Sequence, residues 1–205
     1  MAKPDESINP RLIACAKEIF LTLGFEKAST NAICKEAKVT TGALFKRYAT
    51  KEDLFGAIVE PVAGEFKQLL RDEKQGFEGM SVEQQEEQVL SYETFDFIEY
   101  VYLHFDEFKL LLECAQGTKY ENYVEELVDV FAQSLAEFMK SSGKKAMIAG
   151  KPASPDLIHI LTRSYLTGVF EPVLHNMPKN KAKVYAEQIG YFFGIGWADI
   201  LGLER

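Results

Sequence analysis

Residues 39–55, VTTGALFKRYATKEDLF, begin with small polar groups that could meet a polyanion. The hydroxyls of Thr40 and Thr41 could cap the start of a helix and also bond to phosphate. Gly42 has no side chain, so a ligand backbone could approach closely there. These residue types favour contact with nucleic acid at a helix N-terminus.

Aromatic and basic side chains follow in the same segment. Phe45 offers an apolar surface to a thymine methyl group, and Lys46 and Arg47 supply charge for phosphate or guanine. Lys51, at the start of the next helix, could reach a phosphate beside free backbone N–H groups. A short helix with two basic residues is by itself usually only a solvated face, so the interpretation depends on the elements around it.

Helical spacing of apolar residues dominates the chain and places this segment after two helices. The first helix should end at Gly24, which reads as a glycine C-cap followed by a hydrophobic residue. The second should start at Ser29 or Thr30 and lead into a turn over residues 36–41. A third helix, from about 41 to 47, would then be the helix of a helix-turn-helix module that enters the DNA major groove.

The rest of the chain also predicts helices, with no strand of useful length. Thr50 and Asp53 resemble a capping box that opens a fourth helix reaching the low seventies. The remaining breaks are predicted at 75–81, 116–120 and 141–153, and the last two helices begin near Ser154 and Lys179. The sequence thus predicts an all-α protein of about nine helices, with a three-helix head on a larger helical body.

A specific pattern of residues spans positions 8–57. Its members are Ala16, Phe20, Gly24, Phe25, Thr30, Ile33, Glu36, Ala37, Val39, Thr40, Gly42, Leu44, Phe45, Tyr48, Lys51, Glu52 and Leu54. This pattern resembles the DNA-binding domain of the TetR family of bacterial transcriptional regulators. The resemblance implies a helix-turn-helix DNA-binding domain over residues 1–50, with Thr30 among its DNA contacts. It also implies a ligand-binding and dimerisation domain over residues 51–205.

Three positions depart from the usual pattern of that family. Lys38 stands in the turn where the family has Gly, so it should adopt the left-handed conformation at a cost of about 1 kcal/mol. Phe45 stands where the family has Tyr and lacks its hydroxyl, and Arg47 replaces an aromatic residue or His. These departures bear on the operator sequence and not on the fold.

Composition narrows the class of protein. The 205 residues are 47% hydrophobic and 26% charged, as in globular chains, and no apolar run is long enough for a membrane span. The net charge of −8 lies outside residues 1–60, so DNA would be contacted by one locally basic face. Three cysteines without a CxxC motif predict a reduced, cytoplasmic setting. Cys34 could be a redox sensor, although a small buried thiol is the default.

The sequence predicts neither an enzyme nor a bound metal or cofactor. The three histidines, His104, His159 and His175, fall in no metal-binding motif. No nucleophile–base arrangement or phosphate-binding glycine loop can be picked out. Structural or ligand-lining roles for the histidines are therefore favoured.

The body should hold a cavity for a small molecule, because it has more polar-tipped aromatic side chains than a plain core needs. The cavity is predicted between residues 89–113 and the helix that begins at 154. Its candidate lining residues are Tyr92, Phe95, Tyr102, His104, Phe105, Cys114, His159 and Tyr165. They favour an apolar or aromatic effector. The alternative is an aromatic core whose hydroxyls reach the surface or water.

The last helix carries the glycine-rich sequence GYFFGIGWADILG. Each glycine costs about 1 kcal/mol in a helix interior, and close helix packing would offset that cost. The resemblance places residues 154–203 in a two-fold dimer interface, and the candidate contacts are Gly190, Gly194, Ile195 and Trp197. The alternative is a helix that kinks or frays at its glycines.

Together these features predict a ligand-responsive transcriptional regulator. It would be a homodimeric repressor that binds a palindromic operator in double-stranded DNA and is released by a small molecule. The alternative, from another class, is a helical small-molecule-binding or catalytic bundle whose head no longer binds DNA.

Overall fold

The computed structural model describes residues 8–91 and 97–203, which are almost entirely helical. The α-helices in these two ranges are α1 (Ile8–Lys27), α2 (Thr30–Glu36), α3 (Thr41–Phe45), α4 (Lys51–Glu78), α5 (Val82–Ser91), α6 (Phe97–Leu103), α7 (Phe105–Lys109), α8 (Tyr123–Ser142), α9 (Pro155–Leu174) and α10 (Lys179–Ile200). One π-helical turn covers Leu110–Cys114, directly after α7. The predicted all-α class is confirmed. The described residues hold ten α-helices where about nine were predicted, because the expected long helix from 89 to 112 is divided.

Polar side chains cap the helices where the sequence predicted them. Ser29, Thr40 and Ser154 each accept a hydrogen bond from a backbone N–H three residues on, at 3.1, 3.1 and 3.2 Å. Thr50 and Asp53 form a reciprocal capping box at the start of α4, with N–H to oxygen distances of 2.9 and 3.0 Å. These bonds satisfy amide groups that the first turn of a helix leaves without partners.

Gly24 interrupts α1 as predicted. Its φ of 74° and ψ of 165° lie outside the helical region and divide α1 at a kink. Glycine adopts a positive φ at little cost, so the chain can turn there and continue for a few helical residues to Lys27. This turn carries Phe25 into the aromatic cluster described below.

The segment 97–114 breaks at His104, two residues before the acidic pair Asp106 and Glu107. His104 has φ −119° and ψ 40°, and it separates α6 from α7. The two carboxylates lie in the first turn of α7, where Lys17 pairs with both of them. Burial lowers the pKa of Lys17, but its contacts with these two carboxylates outweigh that effect, so the pKa is raised.

A small antiparallel hairpin lies in the loop after α8, where the sequence predicted no strand. It pairs β1 (Met147–Ile148) with β2 (Lys151–Pro152). The turn residues Ala149 and Gly150 both have positive φ, 50° and 75°. Such a turn suits a two-residue hairpin, but Ala-Gly lacks the Asn-Gly or Asp-Gly signal that predicts one.

The chain forms two compact units. The first comprises the described residues up to Glu65 together with residues 104–122, and the second comprises the described residues of 66–103 together with those from Tyr123 onward. In the first unit, the rings of Phe20, Phe25 and Phe55 pack at centroid distances of 5.1 to 5.9 Å. The second unit has a core that includes Phe138 of α8, Ile158 of α9 and Ala198 of α10. The domain boundary at residue 50 stays a prediction.

Candidate nucleic-acid interface

The turn between α2 and α3 depends on a left-handed lysine. Lys38 has a φ of 54°, which confirms the conformation predicted for it. The backbone N–H of Val39 donates to the carbonyl of Cys34 at 2.9 Å, and that of Lys38 donates to the carbonyl of Lys35. This is the bonding of a helix C-terminus closed by a left-handed residue, a place where glycine is usual. The turn therefore ends α2 cleanly and redirects the chain into α3.

The short helix α3 presents one exposed face and one buried face. Leu44 is fully buried, and Tyr48, just past the helix, is half-buried. On the other side, Thr41, Gly42, Phe45 and Lys46 are exposed, and Phe45 leaves 47% of its surface to solvent. The exposed face of α3 therefore combines a threonine hydroxyl, an aromatic ring and an ammonium group.

The basic residues of this region do not all point outward. The exposed ammonium of Lys46 has no hydrogen bond or ion pair among the residues that the structure describes. Arg47 is half-buried and turns back, because its Nε donates to Oδ1 of Asn9 at 2.6 Å and its guanidinium also donates to the carbonyl of Ala43. Arg47 thus ties the end of α3 to the start of α1.

Lys51 is engaged differently from the phosphate contact that the sequence predicted. Its Nζ donates to the carbonyls of Phe25 at 2.7 Å and Ala28 at 3.0 Å, and more weakly to that of Glu26. The ammonium also lies 4.2 Å from the centre of the Phe25 ring. An ammonium has three N–H donors, so the carbonyls at the end of α1 take all of them. The structure makes Lys51 a clamp on that helix end.

Two further lysines face solvent near α3 and were not among the predicted DNA contacts. Lys35 and Lys38 are both exposed, on α2 and in the turn. A charge count could have found them, since residues 27–51 contain six basic side chains and a single acidic one, Glu36. Thr30, a predicted contact, is the half-buried first residue of α2, where Ser29 supplies the cap. The local face is therefore basic although the chain is acidic.

Comparisons with known proteins agree with this geometry. The sequence model of the family described as bacterial regulatory proteins, tetR family, matches residues 12–58. Over 49 residues the chain is 41% identical to the HTH-type transcriptional regulator UidR of Escherichia coli K12, a match that covers 24% of this chain and 25% of UidR. Residues 12–58 therefore carry the sequence pattern of the TetR family, whose members are described as bacterial regulatory proteins.

Solved TetR-type structures extend the likeness from the head to nearly the whole chain. A TetR-like transcriptional regulator from Rhodococcus sp. RHA1 matches with a TM-score of 0.57 and 18% identity, covering 93% of this chain and 97% of that one. A regulator from Aquifex aeolicus VF5 matches with a TM-score of 0.53 and 20% identity, covering 92% and 98%. At such identities these structures establish the fold alone.

The second unit contains a cavity of about 280 Å³. Aromatic rings form much of its wall: Phe77, Phe131, Phe138, Tyr165, Phe193 and Trp197. The lining residues with polar side-chain atoms are Gln88, Ser134, Thr162 and Tyr165. A smaller cavity of about 210 Å³ adjoins it and shares five of these residues, Phe77, Gln88, Phe131, Ser134 and Tyr165.

The cavity includes residues of both predicted segments, Val89 and then Thr162 and Tyr165 of α9, but Tyr165 is the one predicted lining residue that reaches it among those the structure describes. The hydroxyl of Tyr102 donates a hydrogen bond to the carbonyl of Met177 at 2.6 Å. The imidazole of His159 lies 2.9 Å from the Glu125 carboxylate. The other described candidates, His104, Phe105 and Cys114, belong to the first unit. Tyr92 and Phe95 lie outside the described residues. Helices α8 and α10 supply most of the wall.

The glycine-rich stretch of α10 has two sides. Gly190, Gly194 and Trp197, predicted as dimer contacts, line the cavity. Ile195 instead lies along a surface groove with Tyr191 and Phe192, whose side chains are 56% and 69% exposed. The dimer interface stays a prediction. The exposed apolar side chains of this stretch lie on the outer side of α10, away from the cavity.

Other candidate chemistry finds no support in the described parts of the chain. Burial raises the pKa of the Cys34 thiol, which is the opposite of what a redox sensor needs. No set of three His, Cys, Asp or Glu side chains within residues 8–91 and 97–203 is arranged to hold a metal ion. In the same ranges, no helix combines the length and apolar character that crossing a bilayer requires.

Proposed function

We propose that this TetR-family protein is a ligand-responsive repressor that binds a palindromic DNA operator as a homodimer and is released by a small molecule. The observation that carries the proposal is the exposed face of α3, which combines hydroxyl, aromatic and basic groups. Thr40 and Thr41 stand at its N-terminus, with Phe45 and Lys46 one turn further on. No contact within the described protein uses the Lys46 ammonium.

The expected DNA contacts follow from the position of each group. The N-terminus of α3 would approach base edges, because the second helix of a helix-turn-helix reads the major groove with its first residues. A thymine methyl would cover Phe45, and Lys46 would pair with phosphate or guanine. Lys35 and Lys38 would add charge to phosphates alongside. Arg47 would mainly hold α3 in position through Asn9.

A dimer would cover the apolar outer surface of α9 and α10. Ile160 of α9 and Phe192 of α10 expose 55% and 69% of their surfaces, and Val184 and Tyr191 are also exposed. Tyr191 and Phe192 line one surface groove with Leu161 and Ile195, and an exposed apolar patch of this kind marks an interaction surface. Two copies related by a two-fold axis would present two α3 helices to two half-sites, which is why the operator should be palindromic. A DNA partner implies a cytoplasmic location.

The effector would occupy the cavity of the second unit. Helix α4 begins at the Thr50 capping box and contributes Phe77 to the cavity wall, so one element carries residues of the head and of the cavity. For release, the effector must bind the DNA-free state more tightly than the DNA-bound state, because equal affinity shifts no equilibrium.

A gel shift with the DNA upstream of the protein's own gene tests the proposal. We expect a retarded band that the Lys46→Ala variant weakens and that Lys67→Ala, a lysine far along α4 paired with Glu126, leaves unchanged. Random-sequence selection on the immobilised protein extends the test to an unknown operator. If neither experiment recovers a DNA sequence, the protein is the alternative, a helical small-molecule-binding bundle whose head no longer binds DNA.

A further inference from the structure

Two hydroxyl groups face the main cavity without a partner in the part of the chain that the structure describes. Neither Tyr165 nor Ser134 forms a hydrogen bond through its hydroxyl with any residue that the structure describes. By contrast, the hydroxyl of Thr162, on the same wall, donates to the carbonyl of Ile158 at 2.9 Å. Both residues are half-buried, and a pair of open hydroxyls on the wall of an apolar cavity indicates a place for a ligand's polar group.

The hydroxyl of Tyr165 is suited to donate a hydrogen bond, because it stays protonated and uncharged. Burial raises the pKa of its phenol to about 12, so the hydroxyl keeps its proton at neutral pH. Its ring is held at an angle to those of Phe131 and Phe193, with centroids 6.4 and 5.4 Å away. The hydroxyl therefore stands at a fixed point on an aromatic wall.

Among the described residues, the cavity has no side chain that could balance the charge of an ionised ligand. No charged side chain lines it among the described residues, and the segment 92–96 contains only acidic charges, Glu93 and Asp96. Two charged side chains line the adjoining cavity: Lys74 is already paired with Glu78 and Glu137, at 3.3 and 3.1 Å, and Glu73 is exposed to solvent. An ionised ligand would lose its hydration without gaining a counter-charge, which strongly opposes binding.

The volume limits the size of the ligand. A dry apolar cavity of about 150 Å³ accommodates benzene, which has six heavy atoms. In proportion, the 280 Å³ of this cavity would hold a molecule of about eleven heavy atoms, the size of two fused aromatic rings with one substituent. The aromatic wall favours such a flat molecule, because rings pack well edge-to-face or offset.

On the basis of the proposed effector role of this cavity, we propose that the effector is an uncharged, bicyclic-sized aromatic molecule whose polar group accepts a hydrogen bond from the Tyr165 hydroxyl. Ser134 provides a second neutral hydrogen bond beside it. Carboxylates and ammonium compounds of the same shape are rejected.

Equilibrium dialysis of the full-length protein at pH 7 tests this class with three matched probes. The probes are 2-naphthol, naphthalene, which lacks the polar group, and 2-naphthoate, which is charged. We expect 2-naphthol to bind at least tenfold more tightly than 2-naphthoate. Tyr165→Phe should weaken 2-naphthol about fivefold, the effect of one neutral hydrogen bond, and leave naphthalene unchanged. Tyr185→Phe, which alters a hydroxyl outside the cavity, is the control.

A second set of variants tests the location. Gly194→Leu should fill the cavity and abolish binding of both neutral probes, and Ser134→Phe does the same from the opposite helix if the first variant fails to fold. The proposal is overturned if 2-naphthoate binds as tightly as 2-naphthol or if neither neutral probe binds. It is equally overturned if Tyr165→Phe leaves 2-naphthol affinity intact or if the filled variants still bind. The DNA gel shift without probe decides the regulator function separately, so the two failures can be told apart.

Discussion

Lys51 and Lys46 lie five residues apart, and the structure gives them opposite roles that one pair of substitutions can separate. Lys51→Met keeps the apolar stem of the side chain but removes the ammonium that binds the end of α1. Lys46→Met makes the same chemical change on the exposed face of α3. The first change should destabilise the head, and the second should weaken DNA binding.

The magnitude for Lys51 follows from its three carbonyl acceptors. A hydrogen bond that involves a charged group contributes about 1.5–3 kcal/mol, and a partly exposed cation over an aromatic ring adds about 0.5–1 kcal/mol. One of the three bonds is long, at 3.3 Å, and water competes for a half-buried ammonium. We therefore expect Lys51→Met to cost about 2–4 kcal/mol of local stability. The same change at Lys46 should cost less than about 0.5 kcal/mol.

Hydrogen–deuterium exchange of the α1 and α2 amides measures this local stability in the first unit. The salt dependence of operator binding, followed by fluorescence anisotropy, measures the phosphate contacts. Each lysine that neutralises a phosphate contributes about 0.9 to the slope of log affinity against log salt concentration. We expect Lys46→Met to lower that slope by about this amount and Lys51→Met to leave it unchanged.

Two results would refute this division of roles. One is unchanged exchange protection of the α1 amides in Lys51→Met. The other is a salt slope that falls by about one charge in Lys51→Met, which would mean that the ammonium leaves α1 and binds a phosphate, as the sequence suggested.

Three other predictions concern the turn, the outer face of α10 and the cavity. Lys38→Gly should raise the stability of the head by up to about 1 kcal/mol, because glycine adopts the observed φ of 54° without strain. Urea unfolding measures this change, and a loss of stability would contradict the prediction. Phe192→Asp should convert a dimer to a monomer, as measured by sedimentation at micromolar concentration. The control is Phe45→Asp, a change at another exposed aromatic residue, which should leave the dimer intact. Equal masses for the Phe192→Asp variant and the wild type would argue against this interface. Tyr165 has a folded-state pKa of about 12 against about 10 when unfolded, so its stabilisation is complete below pH 10 and is lost as the pH rises toward 12. Tyr165→Phe should therefore flatten the decline of unfolding free energy between pH 10 and 12, and identical slopes in mutant and wild type would show that the phenol is not buried.

Local physics explains why much of the head could be predicted. A serine or threonine cap needs only the amide three residues on, and Ser29, Thr40 and Thr50 all form the expected bonds. The break at Gly24 and the left-handed Lys38 likewise depend on backbone preferences within one turn. Periodicity then shows which side of each helix is buried, as with Leu44.

The hairpin after α8 and the break at His104 were missed because their signals are weak or come from distant residues. Ala149 and Gly150 form a tight turn without the residue pair that usually announces one. After His104, Asp106 and Glu107 pair with Lys17, some ninety residues earlier in the chain. A partner at that separation leaves no pattern in a short window of sequence.

The sequence by itself determined the all-α class, the helix-turn-helix and the identity of its exposed groups, since these depend on neighbours within a few residues. Only the tertiary structure decided which basic side chains remain open. Asn9, 38 positions away, accepts a hydrogen bond from Arg47. The carbonyls of Phe25 and Ala28 accept hydrogen bonds from the ammonium of Lys51. It also decided that α8 and α10 join α9 in forming the cavity wall, where Tyr165 and Gly194 face inward. A cavity is the volume that packed helices fail to fill, so it depends on how distant faces meet and not on the composition of any one of them.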